Sequence, residues 1–136
     1  MENILNAWKT RFLSVMRMVT AFLFMQHGGQ KLFGYPAAQR YEFDILSLSG
    51  VAGVLELFGG FLVFIGFVTR PTAFVLSGLM AFAYFIAHAP RGFWPILNGG
   101  ELAIMFCFVF LYLSVAGGGE WSVDHIISVK RRENSA

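Results

Sequence analysis

A bundle of four transmembrane α-helices forming one membrane domain, residues 1–136, is the fold this sequence predicts, and three observations predict it. Of its 136 residues 57% are hydrophobic and 13% charged, where a water-soluble domain carries about 45–50% apolar and about 25% charged residues. The apolar residues fall into four stretches of membrane-spanning length. Most of the lysines and arginines lie at the two ends of the chain and in the connections between those stretches. A soluble chain of this size could not hide so much apolar surface, so the lipid bilayer is the expected solvent and first partner.

A hydrocarbon core about 30 Å thick is crossed by about 20 helical residues. The first segment runs from Phe12 to Gln30, with a start as early as Ala7 compatible with the sequence. Lys9 and Arg11 precede it as they would a signal peptide. Arg17, however, interrupts its apolar centre, and it ends in Gln26-His27-Gly28-Gly29-Gln30 instead of a small-residue cleavage site, so it is expected to remain a membrane helix. The long, mixed stretch from Lys31 to Ser49, with Gly34-Tyr35-Pro36, reads as a partly helical loop over the outer face, the natural lid. The second helix covers Gly50 to Thr69 and the third Pro71 to Ala89. Between them Thr69-Arg70-Pro71 predicts a tight turn and a closely paired hairpin, since proline ends one helix and begins the next. The fourth covers Ile96 to Ala116. After Gly117-Gly118-Gly119 a short tail helix is expected over 122–132, with Ser122 as N-cap, Asp124 in the first turn and Lys130 to Arg132 at the end. Its Val123, Ile126, Ile127 and Val129 suit a membrane surface. A histidine near the end of helices one and three, and Glu-Leu near the outer ends of two and four, hint at two stacked hairpins.

Short loops rich in Lys and Arg face the cytoplasm. With the N-terminus inside, Lys9, Arg11, Arg70, Lys130, Arg131 and Arg132 lie on that side, against Lys31, Arg40 and Arg91 on the other. Both termini are therefore expected in the cytoplasm. Trp8, Trp94, Trp121 and Tyr35 fall near the expected interfaces and read as belt anchors.

Three ionisable residues lie inside the expected spans: Arg17, Glu56 and Glu101. Each costs at least about 2.5–3.5 kcal/mol on insertion scales, so each calls for a partner or a function. Counting residues from the helix centres places both glutamates in the outer half at matched depth, and Arg17 nearer the middle or inner half. Gly53, Glu56 and Gly60 share one helix face, where small residues admit a neighbouring helix. Asn98, Gly99 and Gly100 put small residues beside Glu101 in the same way. The three charges are expected to converge in one interior pocket, with His27, Lys31, His88 and Asn98 around its outer mouth. One reading is structural, Arg17 pairing with Glu56 or Glu101 to fix helix register. The other is functional: two acids against one arginine leave a carboxylate over, a candidate proton acceptor or ligand for the polar head of a small hydrophobic molecule such as a quinone.

Other chemistries find little support. The basic residues form no patch, which argues against nucleic acid. Cys107 is the single cysteine, within Met105-Phe106-Cys107-Phe108, so it reads as a small packing residue and no intrachain disulfide can form. His27, His88 and the two acids follow no metal-ligand spacing, and no metal is expected. The triple glycine is no phosphate loop, lacking the Gly-Lys-Ser/Thr that follows one.

The order of Arg17, Gly28 to Lys31 with Leu32, Glu56-Leu57 before Gly59-Gly60, and Gly66 with Thr69-Arg70 resembles the DoxX family of small bacterial inner-membrane proteins. So does the second half: His88, Asn98-Gly99-Gly100-Glu101-Leu102, then Gly117-x-Gly119-x-x-Ser122-Val123-Asp124. The resemblance covers residues 12 to 128, with Gly118 where many relatives carry proline. It implies a multi-pass protein of the bacterial inner membrane, associated with quinone-linked oxidoreductase systems or membrane complexes. The chain itself holds no haem, flavin or nicotinamide signature and no redox cysteine pair, which argues against electron transfer by this chain alone. The expected role is an accessory or small-ligand-binding subunit of a larger membrane complex, or a homo-oligomer. The alternative is a stand-alone membrane oxidoreductase or small-solute transporter.

Overall fold

The structure, a computed structural model, describes residues 2–36 and 44–135. Arg40 and the middle of the expected lid lie outside the described residues. Among the described residues every regular element is helical: α1 Glu2–Phe33, α2 Leu48–Ile65, α3 Thr69–Arg91, α4 Pro95–Asn98, α5 Glu101–Ala116 and α6 Val123–Glu133.

α1 is 32 residues long and begins well before Phe12, because the segment ahead of the apolar run contains no proline or glycine to stop it. Among the described residues α2 and α3 are the two helices long and apolar enough to cross a membrane, with mean hydropathies of 2.0 and 1.6. Their apolar windows are only 28% and 22% buried inside the protein. A soluble core helix would be mostly buried, so the apolar faces presented by Phe58, Phe61, Phe74, Phe82 and Phe85 call for lipid. α5 is apolar but shorter, 16 residues, because Asn98-Gly99-Gly100 breaks the fourth segment and leaves α4 as a separate turn.

The turn between α2 and α3 is tight but falls on Gly66, Phe67 and Val68, not on the expected Thr69-Arg70-Pro71, which already forms the first turn of α3. The principal pairs are α1 with α2 and α3 with α5. Small groups decide this. A Cβ on Gly28 would lie 2.6 Å from the Leu57 nitrogen and 2.8 Å from the Gly53 oxygen, so α1 and α2 cross almost backbone to backbone. Between α3 and α5 the Ser77 hydroxyl donates to the Cys107 carbonyl at 2.9 Å. The core running between the pairs holds Ala21, Phe24, Val63, Ala73, Leu76, Met80, Phe106, Phe110 and Leu113. Phe24 meets Phe106 and Phe110 edge to face, with centroids 5.1 and 4.8 Å apart.

At one end of the bundle Arg17 is fully buried, and its partners are backbone carbonyls, not the expected carboxylates. Nε donates to Gly118 O at 2.8 Å, Nη1 to Val63 O at 2.5 Å and to Phe64 O, and Nη2 to Trp121 O at 2.6 Å. Val63 and Phe64 belong to the last turn of α2, where carbonyls run short of intrahelical donors and the dipole favours a cation; Val63 O also accepts from Gly66 N at 3.0 Å. Asp124 completes the node by capping α3, its carboxylate accepting from Val68 N and Thr69 N, both at 2.8 Å. Its own N–H donates to Gly66 O at 2.9 Å. Gly66 has φ +71°, and a Cβ there would lie 2.4 Å from the Ser122 Cβ. Ser122 is the N-cap of α6, its hydroxyl accepting from His125 N at 3.2 Å.

Candidate functional site

Fourteen residues beyond Arg17, about 21 Å along α1 at about 1.5 Å per residue, the other end of the bundle opens into a cavity of about 360 Å³. Its walls are apolar, formed by Phe24, Met80, Ala83, Leu102, Ala103 and Phe106, and four polar side chains converge on it: His27, Lys31, Glu56 and His88. Phe24, His27 and Lys31 recur at three- and four-residue intervals, one stripe of α1. Glu56 reaches the cavity from α2.

Two of these residues sit on π-helical turns. Leu55–Gly59 carries Glu56 and Tyr84–His88 carries His88. Such a turn inserts one residue into the helical register and re-aims the side chains around it, and it recurs at functional sites. Glu56 is 2% exposed. Its Oε1 accepts from Lys31 Nζ at 2.5 Å, while its Oε2 has no hydrogen-bond partner among the described residues. Gly53 makes the pairing feasible: a Cβ there would lie 2.9 Å from the Lys31 Cβ, so only glycine lets the lysine stem lie across α2. The His27 ring stands edge-on to Phe106 at 5.9 Å.

Asn98 stays outside the cavity and builds its rim. Its Nδ2 donates to Gly92 O at 2.8 Å, its Oδ1 accepts from Gly100 N at 2.8 Å, and its main-chain oxygen bonds His88 Nδ1 at 3.1 Å. A carbonyl only accepts, so Nδ1 of His88 carries the proton, and in the neutral ring Nε2 is left as an acceptor.

The structure therefore brings together His27, Lys31, Glu56 and His88, with Asn98 behind them, and separates two residues expected beside them. Arg17 lies at the far end in its cage of carbonyls. Glu101 is exposed and does not line the cavity. Gly100 ends the break ahead of α5 and Glu101 opens the helix at its favourable N-terminal end, while the buried Ala103 and the half-exposed Leu102 reach the cavity instead. Met80, Ala83, Leu102 and Phe106 are lining residues that the sequence reading did not single out. Their i, i+3 and i, i+4 spacing beside His88 and Glu101 was the available signal.

A larger cavity, about 540 Å³, lies at the Arg17 end near Thr10, Arg70, Glu120 and Asp124. Its charges are already engaged: Arg70 donates to Val115 O at 2.6 Å, Glu120 pairs with Arg11 at 3.0 Å, and Asp124 caps α3. Among the described residues no three His, Cys, Asp or Glu side chains cluster as a metal set.

The family model described as DoxX matches residues 12–89, the span that contains His27, Lys31, Glu56 and His88. The chain belongs to the DoxX family. Full-length relatives extend the similarity across this DoxX protein. An uncharacterised protein of Haemophilus influenzae is 38% identical over 128 residues, covering 90% of this chain and 96% of the relative. The inner membrane protein YqjF of Escherichia coli K12 is 30% identical over 125 residues, covering 85% and 92%. No solved structure matches the chain. Family and composition together make it a DoxX membrane protein, the lipid bilayer its surroundings.

Proposed function

We propose that this DoxX protein crosses the bacterial inner membrane four times with both termini in the cytoplasm, and serves there as an accessory subunit that holds a small, mainly apolar molecule in the Glu56 cavity. The observation that carries the reading is the cavity itself: apolar walls, a few convergent polar groups and a volume of about 360 Å³, the usual make-up of a small-molecule site. Quinone is the candidate that the family resemblance supplies. The distribution of Lys and Arg supports the orientation, which places the Glu56 end outward and Arg17 inward. Reporter fusions after Phe93 and after Lys130 should report opposite sides of the membrane, and the same side for both would end the four-span reading.

Calorimetry in detergent with a short-chain ubiquinone should give saturable one-to-one binding. It should be weakened at least tenfold by Ala87→Trp, which fills the cavity from its exposed edge. Absence of saturable binding, or equal binding by the variant, would remove the cavity as the site. Purification from native membranes should bring stoichiometric companion proteins; an isolated protein that itself moves or reduces a solute would favour the transporter or oxidoreductase reading instead.

A further inference from the structure

We propose that the cavity selects its ligand by a hydroxyl donated to Glu56, and that the ligand class is a small, neutral aromatic alcohol; the inference rests on the cavity being a ligand site, as proposed above. The chemistry follows from what the cavity leaves unused. An ionised carboxylate can only accept, and each of its oxygens has room for more than one donor. Glu56 spends Oε1 on Lys31 and keeps Oε2 without a partner among the described residues, although the residue is 2% exposed and lines the cavity. A buried acceptor left in that state is costly, and a ligand that donates to it relieves the cost. His88 adds a second acceptor, because its Nδ1 is committed to Asn98 O. Two acceptors favour a molecule with a donor over a ketone or an ether, which only accept, so a quinone entering the same cavity would be held more tightly in its reduced, hydroxyl-bearing form than as the diketone.

Charge and shape narrow the class further. Lys31 and Glu56 neutralise one another, so a cationic donor such as an ammonium would leave an uncompensated charge between apolar walls, whereas a hydroxyl would not. A hydroxyl can also accept from the remaining Lys31 N–H groups while it donates to Oε2. The walls hold Phe24 and Phe106, edge to face at 5.1 Å, with His27 edge-on to Phe106 at 5.9 Å. A flat ring inserted beside them continues the same edge-to-face packing. These residues come from α1, α2, α3 and α5, so the selectivity belongs to the assembled bundle.

The test compares 4-ethylphenol with 4-ethylanisole, its methyl ether, by calorimetry on the detergent-purified full chain. The phenol should bind saturably and at least tenfold more tightly than the ether, since a site built around a hydrogen bond rejects the analogue that lacks it. Equal affinities would overturn the hydroxyl inference while leaving the cavity as a ligand site. Failure of both probes and of the short-chain quinone would remove the site altogether. Glu56→Gln should reduce the phenol-to-ether ratio below threefold, and Ala87→Trp should weaken both probes together. A ratio that stays tenfold in Glu56→Gln, or binding that ignores Ala87→Trp, would place the recognition elsewhere and overturn the inference.

Discussion

Arg17 and Glu56 are both charged residues with almost no exposure, 0% and 2%, on helices that cross backbone to backbone, yet their surroundings differ in kind. Around Arg17 the guanidinium fork meets four carbonyls and the nearby Asp124 carboxylate meets two N–H groups. The Thr69 hydroxyl lacks a hydrogen-bond partner among the described residues, but Gly118 packs against it so closely that an added Cβ would lie 3.0 Å away. Around Glu56 one oxygen is paired, the other has no partner among the described residues, and a cavity adjoins it. A buried charge saturated by backbone has become part of the scaffold. One left half satisfied beside empty space is available for chemistry.

The sharpest way to break this contrast is Arg17→Leu. Four carbonyls would lose the guanidinium, which leucine cannot replace, and although Val63 O keeps the Gly66 N–H and Gly118 O the Ser14 hydroxyl, stability should fall by on the order of 3 kcal/mol or more. Membrane abundance should collapse with it, and no carboxylate substitution should rescue it. A variant as abundant and as thermostable as wild type would show that the node is not what holds the helices together. Gly66→Ala attacks the same node sterically, combining a left-handed backbone with the Ser122 contact, and should cost about 1–3 kcal/mol in a detergent melt. An unshifted Tm would mean that the loop yields readily.

At the other end Glu56→Gln should cost only about 1 kcal/mol, since Lys31 remains half-buried and can turn toward solvent. A stability loss as large as that of Arg17→Leu would make Glu56 scaffold after all. Smallest of all, Glu101→Gln should stay within about 0.5 kcal/mol of wild type and leave short-chain ubiquinone binding unchanged. A loss of binding in that variant would return Glu101 to the site.

Much of this was legible in the residues, and the exceptions have physical reasons. Ser122 announces a cap because serine carries its geometry locally, and Pro71 announces a helix start; the turn itself falls three residues before the expected Thr69-Arg70-Pro71, at 66–68, where Gly66 supplies the left-handed backbone. Glu56 beside Gly53 and Gly60 points inward for the reason read from spacing, that small residues admit α1. Arg17 was legible as a buried charge, but its partner was not: main-chain carbonyls leave no signature in sequence, whereas carboxylates do, and the eye goes to them. Glu56 and Glu101 look alike, each followed by leucine and accompanied by glycine. What separates them is that Gly99 and Gly100 end one helical turn and start another, so Glu101 opens a helix while Glu56 sits inside one. The π-helical turns under Glu56 and His88 were invisible because an extra residue in the helical register changes no composition.

The Arg17 node also bears on how the chain is made. Two of its acceptors, Gly118 O and Trp121 O, stand 101 and 104 residues further along. If α1 crosses the membrane as proposed, a chain emerging from the ribosome commits its arginine to the bilayer long before those carbonyls exist, at an interim cost of about 2.5–3.5 kcal/mol on insertion scales. On that four-span reading the first helix would settle only when the last loop arrives, and the arginine would act as a check that the chain has been made to its end. Chains ended at Ala116 retain every long helix of the bundle, yet in a pulse-chase they should be degraded quickly. Chains ended at Asn134 should persist, and equal lifetimes for the two would dismiss the idea.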